Sequence, residues 1–325
     1  MKKIQVQELL SEEISDLKLK LIYGKEFLKE RYISSFRIQK PGLALAGFTD
    51  HIHPERVQIF GNTEISYVNS LTSEQRLNAF ENFCKKRVSC VIVTKNLKIP
   101  KELVCCVKKY EIPLFRTEIV SSRLIQEIMF FLEDKLAPET VIHGVLVDVY
   151  GVGVLILGRS GIGKSECALE LVKRGHRLVA DDAIHIKKKQ DILIGTSNDL
   201  LTYNIELRGL GILNIKDMFG VSAIRMRKRI EIVISFVDWN SEESYDRTGL
   251  DKKIYNIMDI ELPHLILPVS PGRNMAVIIE AAARNHLLKL MGYDAAQEFQ
   301  DRLMKKMEEN RKLEINRIMM NQGVE

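Results

Sequence analysis

The sequence predicts an α/β protein of two domains: a non-catalytic N-terminal α/β domain over residues 1–134 and a nucleotide-binding catalytic domain over 135–325. Three observations carry that expectation. At 325 residues, the chain has room for about two domains of roughly 150 residues each. Short β-branched apolar runs alternate with amphipathic stretches, the pattern of layered strands and helices. One apolar strand then feeds directly into a glycine-rich loop, Gly158–Ser165, and the loop into a helix. That order belongs to phosphate-binding α/β units.

The elements follow in order. Leu43–Phe48 and Val57–Gly61 read as short strands, and Ser73 opens a helix as its cap with Glu74 in the first turn. Val88–Thr94 is a β-branched run between polar residues, hence a buried strand. Pro100 suits the start of a helix running through Glu102–Tyr110, and Ser121–Leu136 has the apolar spacing of another. Nothing in this half forms a catalytic constellation. Pro138 stops the last helix, which places the boundary near Ala137–Glu139. Beyond it, Val141–Val149 and Val152–Leu157 are apolar strands separated only by Tyr150-Gly151, the spacing of a tight β-hairpin leading into the loop. Glu166–Arg174 reads as a helix ended by Gly175, and Leu178–Ala180 as a buried strand ending in Asp181-Asp182. A long charged C-terminal helix, Asp294–Ile318, carries Phe299, Leu303 and Met307 four residues apart, a packing or subunit face.

Composition narrows the function. Hydrophobic residues make up 46% and charged residues 28%, which is globular rather than disordered. A net charge of +5 with pI near 8.8 fits phosphate ligands or an acidic partner but is too weak to demand nucleic acid. The most apolar stretch, Val141–Gly158, is interrupted by His143 and Asp148, so no membrane span is expected. Met1-Lys2-Lys3 leads into a polar amphipathic start, unlike a signal peptide. Five cysteines without a C-x-x-C pair point to reduced thiols and a cytoplasmic location.

Gly158-Arg159-Ser160-Gly161-Ile162-Gly163-Lys164-Ser165 fits G-x-x-x-x-G-K-[ST] throughout. The glycines permit positive φ, so backbone N–H groups can turn inward around phosphate oxygens. Lys164 reaches the β- and γ-phosphates of a nucleotide, and the Ser165 hydroxyl suits Mg²⁺. The following helix directs its partial positive charge at the anion. Asp181 and Asp182, at the carboxyl end of a strand, supply a metal-shell carboxylate and a proton acceptor. Because adjacent strand residues point to opposite faces, only one should face the phosphates, and spacing does not say which.

Further blocks give direction to this site. His143 lies in His143-Gly144-Val145-Leu146-Val147-Asp148, and Ile205-Glu206-Leu207-Arg208-Gly209-Leu210-Gly211-Ile212-Leu213-Asn214 follows the aspartate pair. Tyr245-Asp246-Arg247-Thr248-Gly249 and Pro268-Val269-Ser270-Pro271-Gly272-Arg273 come later. Together, and in this order, they resemble the HPr kinase/phosphorylase family. The resemblance implies ATP-dependent phosphorylation of a seryl residue of the phosphocarrier protein HPr and regulation of carbon metabolism. It further implies phosphate-dependent dephosphorylation that releases pyrophosphate, and a homohexamer. Carried residue by residue, it places ATP on Gly158–Ser165 and Mg²⁺ on Ser165 and Glu206. Asp182 becomes the acid/base group, with His143, Lys164 and Arg247 as further catalytic positions. The Glu206 block serves both directions and Arg273 mainly dephosphorylation. A small-molecule kinase or an ATP-gated binding module on the same loop is the alternative that the loop alone leaves open.

Three other features read blandly. Asp50-His51-Ile52-His53 is too compact for separated metal ligands. Arg225–Arg229 alternates basic and apolar residues as a half-solvated strand does. Cys167 reads as core packing.

Overall fold

The computed structural model describes residues 2–197, 202–239 and 253–322, with side chains of the last helix described to Arg311. The chain is mixed α/β and divides into two compact units, Met1–Pro138 and Glu139–Glu325.

The first unit is built on a four-stranded sheet in the order Lys20–Tyr23, Leu114–Arg116, Cys90–Val93, Val57–Phe60, of which the last three are parallel. Val57–Phe60 and Cys90–Val93 are buried along their whole length, as β-branched strands covered on both faces must be. Phe60, Val91 and Val93 pack one face against Phe80, Phe83 and Leu103. Ile59, Ile92 and Phe115 pack the other against Leu124 and Ile128 of the helix Ser121–Leu136. Two expectations change here. Leu43–Phe48 is not a strand: Gly42–Leu45 is a short helix. Ala44 and Leu45 are buried while Leu43 is exposed, a turn-like rather than a two-residue periodicity. The helix Ser73–Cys84 is capped one residue earlier, by Thr72, whose Oγ1 accepts from Gln75 N–H at 3.3 Å while the Gln75 side chain accepts from Thr72 N–H at 3.1 Å.

The second unit centres on an eight-stranded sheet. Its strand order is Arg227–Arg229, Ile192–Ser197, Arg177–Lys189, Glu139–Val149, Val152–Leu157, Ile232–Asp238, Ile260–Val269, Lys253–Ile257. Glu139–Val149 and Val152–Leu157 form the expected antiparallel hairpin. Tyr150 and Gly151 take φ of 52° and 84°, the left-handed pair that a two-residue turn requires. Val152–Leu157 runs parallel to Ile232–Asp238, which runs parallel to Ile260–Val269. The helices Lys164–Lys173 and Met275–Leu290 seal one face through Val145, Val154, Ile156, Leu171 and Ile279. Gly175 ends the first of them at φ 93°. A separate hairpin pairs Asn204–Leu207 with Gly211–Asn214. The last helix spans Ala295–Gln322, with Phe299, Leu303 and Met307 exposed.

Strand Arg177–Lys189 departs from expectation. It does not end at the aspartates but continues through them, because Ala183–Lys187 keeps a two-residue alternation that buries Ile184 and Ile186. The ladder with Glu139–Val149 shifts register between Leu146 and Val147, just before Asp181 pairs with Val145 and Asp182 with Gly144.

Candidate active site

The loop Gly158–Ser165 joins the carboxyl end of strand Val152–Leu157 to the helix beginning at Lys164. Gly161 has φ 79°, a conformation that favours glycine, and a Cβ there would lie 2.5 Å from the Arg208 guanidinium and push it aside. Gly158 has φ 150°, and a Cβ would fall 2.8 Å from the Phe236 carbonyl on the neighbouring strand. Gly163 caps the helix at φ 100° with no side chain to offer its N–H groups. The helix N-terminus therefore faces a cleft of about 150 Å³ lined by the loop together with Asp181, Asp182, Glu206 and Arg208.

Two cations, Lys164 and Arg208, are among the residues lining this cleft. Lys164 Nζ donates to the carbonyls of Gly158 and Arg159, both at 3.0 Å, holding the loop closed around the ammonium. Arg208 Nη2 donates to Ser160 Oγ at 3.2 Å. Arg159 forks onto Asp238 with two 2.7 Å hydrogen bonds, and that pairing keeps the Asp238 carboxyl below the usual carboxylate range.

The two aspartates have different surroundings. Asp181 is buried; Ser165 Oγ donates to it at 3.0 and 3.2 Å, and Glu206 N–H donates at 3.0 Å. Burial nevertheless raises its pKa, against the pull of those hydrogen bonds. Asp182 is exposed, with Oδ1 3.6 Å from His143 Nδ1 on the paired strand. Only one aspartate was expected to face the phosphates, yet both line the cleft. Asp182 adopts φ 69° inside a strand, which breaks the alternation that would have turned it away. A non-glycine residue in that region costs about 1–2 kcal/mol, strain of the kind that collects at functional sites.

Of the remaining candidates, Ser165 and Glu206 meet at Asp181. Arg273 follows Gly272 at φ 81°, donates from Nη1 to the Pro268 carbonyl at 3.0 Å, and is not among the residues lining this cleft. Arg247 lies outside the described residues. Cys167 is buried on the loop helix, with its thiol pushed up to about 12 by desolvation, which makes it an inert core residue. Sequence reasoning gave Arg208 no role of its own within the Glu206 block and passed over Asp238. Arg208 had a signal, a lone arginine two residues after Glu206. Asp238 had one too, an apolar strand, Ile232–Val237, closed by a carboxylate.

A buried carboxylate behind a hydroxyl, an exposed carboxylate at the lip and a glycine loop at a helix N-terminus define a class of protein that handles phosphoryl groups. The HPr serine kinase C-terminal domain model matches residues 134–303, and that of the HPr serine kinase N terminus matches residues 4–132. The chain belongs to the HPr serine kinase family. It is 53% identical over 306 residues to the HPr kinase/phosphorylase of Geobacter sulfurreducens, covering 94% of this chain and 96% of the relative. With the HPr kinase/phosphorylase of Bacillus cytotoxicus it shares 46% over 309 residues, 95% and 98% of the two chains. The solved structure of the Hpr(Ser) kinase/phosphatase from Coxiella burnetii matches 49% of this chain and 98% of its own at 34% identity, with a TM-score of 0.45.

Proposed function

We propose that this chain transfers the γ-phosphoryl group of ATP to a seryl hydroxyl of HPr, and that it reverses the modification with inorganic phosphate, releasing pyrophosphate. The observation that carries the reading is the aspartate pair: one carboxylate exposed at the lip of the loop cleft, the other buried against Ser165. Near-complete coverage of relatives named HPr kinase/phosphorylase supports the choice of substrate.

A serine hydroxyl is a poor nucleophile at neutral pH. Asp182, open to solvent and 3.6 Å from His143, is placed to take its proton as the seryl oxygen bonds to the γ-phosphorus and the bond to the β-phosphate oxygen breaks. His143 steadies the carboxylate by charge when protonated. Lys164 leaves its two loop carbonyls to meet the phosphates, and Arg208 adds a second cation at the Ser160 side. In the opposite direction an oxygen of inorganic phosphate attacks the phosphoseryl phosphorus. A P–O–P bond forms, the seryl O–P bond breaks, and protonated Asp182 returns its proton to the leaving oxygen.

Ser165, Asp181 and Glu206 line the same cleft, Ser165 Oγ donating to Asp181, and their oxygens are of the hard kind that fits Mg²⁺. Ser165 and Glu206 would hold the ion directly, with Asp181 orienting the hydroxyl; bound there, Mg²⁺ supplies positive charge to the phosphate oxygens. Arg247 and Arg273 complete the cation set that the family implies. A homohexamer follows from the same reading, and the exposed Phe299, Leu303 and Met307 stripe suits a contact between copies.

The test is direct. Incubated with HPr and γ-labelled ATP, the protein should label a seryl residue; inorganic phosphate added afterwards should move that label into pyrophosphate. Release as labelled orthophosphate instead would replace phosphorolysis by hydrolysis, and no labelling of HPr would overturn the reading.

A further inference from the structure

A neighbouring strand supports the phosphate loop along its first residues. The ladder between Val152–Leu157 and Ile232–Asp238 stops at the pair Leu157–Ser235, so Phe236–Asp238 runs on beside the loop. On its other side this segment stays paired, Phe236 with Leu267, Val237 with Pro268 and Asp238 with Val269, which makes it a fixed edge. Gly158 lies close against it, since a Cβ there would fall 2.8 Å from the Phe236 carbonyl. Two residues on, Asp238 receives both 2.7 Å hydrogen bonds of the Arg159 fork. The two side chains are 63% and 64% exposed, and neither Arg159 nor Asp238 lines the cleft. Arg159 thus turns its charge away from the anion site although it belongs to the loop. Its backbone faces the other way: the Arg159 carbonyl accepts from Lys164 Nζ at 3.0 Å and from Ile162 N–H at 3.4 Å.

We infer that Asp238 is a positioning residue for the phosphates of the nucleotide, acting through the Arg159 side chain on the loop backbone and, through the Arg159 carbonyl, on Lys164. The inference rests on the kinase reading above for the identity of the anion. Gly158, Gly161 and Gly163, at φ 150°, 79° and 100°, give the loop its shape and also the most backbone freedom to lose when it closes on phosphate. A side chain fixed to a paired strand removes part of that cost before the ligand arrives. A single exposed ion pair would hold the loop poorly, but a planar fork with two parallel hydrogen bonds fixes both distance and orientation. With the Arg159 peptide held in this way, its carbonyl and that of Gly158 keep Lys164 at the loop until an anion draws the ammonium off.

The experiment compares Asp238→Asn, Asp238→Glu, Arg159→Ala and the double variant Asp238→Asn/Arg159→Ala with wild type, all as the full chain. It measures ADP affinity by calorimetry in the absence of HPr, then kcat and the KM values for ATP and HPr. Asp238→Asn should weaken ADP binding and raise the KM for ATP by roughly three- to fivefold, the size expected of an exposed pair with bidentate geometry. The kcat and the KM for HPr should stay as in wild type, because the loop is less well held while the reacting groups are untouched. Asp238→Glu, which keeps a carboxylate for the fork, should recover most of the loss. The double variant should bind ADP no more weakly than Arg159→Ala alone, since the two side chains act as one unit. Unchanged ADP affinity in Asp238→Asn overturns the inference, as do additive losses in the double variant or a fall in kcat with both KM values unchanged. Tighter ADP binding overturns it too, and would make Asp238 a carboxylate that withholds Arg159 from the phosphates. If wild type itself binds no ADP, the nucleotide reading falls first and takes the inference with it; if wild type binds ADP and Asp238→Asn binds it equally well, only the role of Asp238 falls.

Discussion

The two units solve the same structural problem in opposite ways. Each sends a buried strand through glycine into a helix: Val57–Phe60 through Gly61 into Asn62–Ser70, and Val152–Leu157 through Gly158–Gly163 into Lys164–Lys173. In the first unit the helix start closes on itself. Glu64, almost fully buried, accepts from Gly61 N–H at 2.9 Å, with Lys40 Nζ 3.4 Å from the same oxygen. The anion that a helix N-terminus attracts is thus part of the chain. In the second unit Gly163 brings no side chain, and the helix start opens on a cleft lined by Lys164 and Arg208 together with Glu166, Asp181, Asp182 and Glu206. The two helices carry a glutamate at the same position and differ in what surrounds it: Glu64 meets the glycine N–H of its own helix start, whereas Glu166 lines an open cleft.

That contrast can be broken at several points, beginning with the largest effect. Replacing Asp182 with Asn keeps the shape but removes the proton acceptor, so phosphorylation and phosphorolysis should both slow by about two to four orders of magnitude while ATP affinity is kept. Rates measured in each direction decide it. A variant defective in one direction only would shift the acid/base role to Asp181.

Lys164→Ala tests the loop itself. Loss of one cation that follows the phosphates costs on the order of 3–4 kcal/mol, a several-hundredfold drop in kinase turnover, with the circular dichroism spectrum and melting temperature unchanged. Near-normal turnover in the folded variant would remove the loop from the mechanism.

Glu64→Gln asks whether the first junction is structural only. The amide loses the negative charge that balances Lys40 and the helix start, so the unfolding midpoint should fall by an amount worth about 1–2 kcal/mol while kcat is preserved. Urea titration beside a kinase assay separates the two. A loss of kcat at full stability would give this unit a part in the reaction.

Arg273→Ala sharpens the comparison within the second unit. Phosphorolysis must gather two anions without a nucleotide to anchor either, and a guanidinium fork suits phosphate oxygens. Phosphorolysis should therefore fall at least about tenfold, roughly 1.4 kcal/mol, and the kinase reaction much less. Equal losses would mean that the arginine, bonded to the Pro268 carbonyl, only holds its own turn.

Much of this molecule is legible in one dimension because its causes are local. The loop, its flanking strand and helix, the Tyr150-Gly151 hairpin and the helix Ser121–Leu136 each depend on residues within a few positions of one another. Glycine where φ must be positive, β-branched runs where both faces are covered and proline where a helix must stop are signals that need no partner. The Leu43–Phe48 segment misled because a short apolar run fits strand and helix alike, and only packing around Ala44 and Leu45 chose the helix. What tertiary structure alone decided lies where distant segments meet. Asp181 and Asp182 are chemically identical neighbours, and they differ because one is buried under Ser165 and Glu206 while the other, at φ 69°, turns back to the cleft beside His143. Arg208 against Gly161 and Ile212 opposite Glu206 follow from hairpin register and loop approach. Residue types set which chemistry is possible, but burial and backbone conformation set which copy of a residue performs it, and those arise only once the strands are paired.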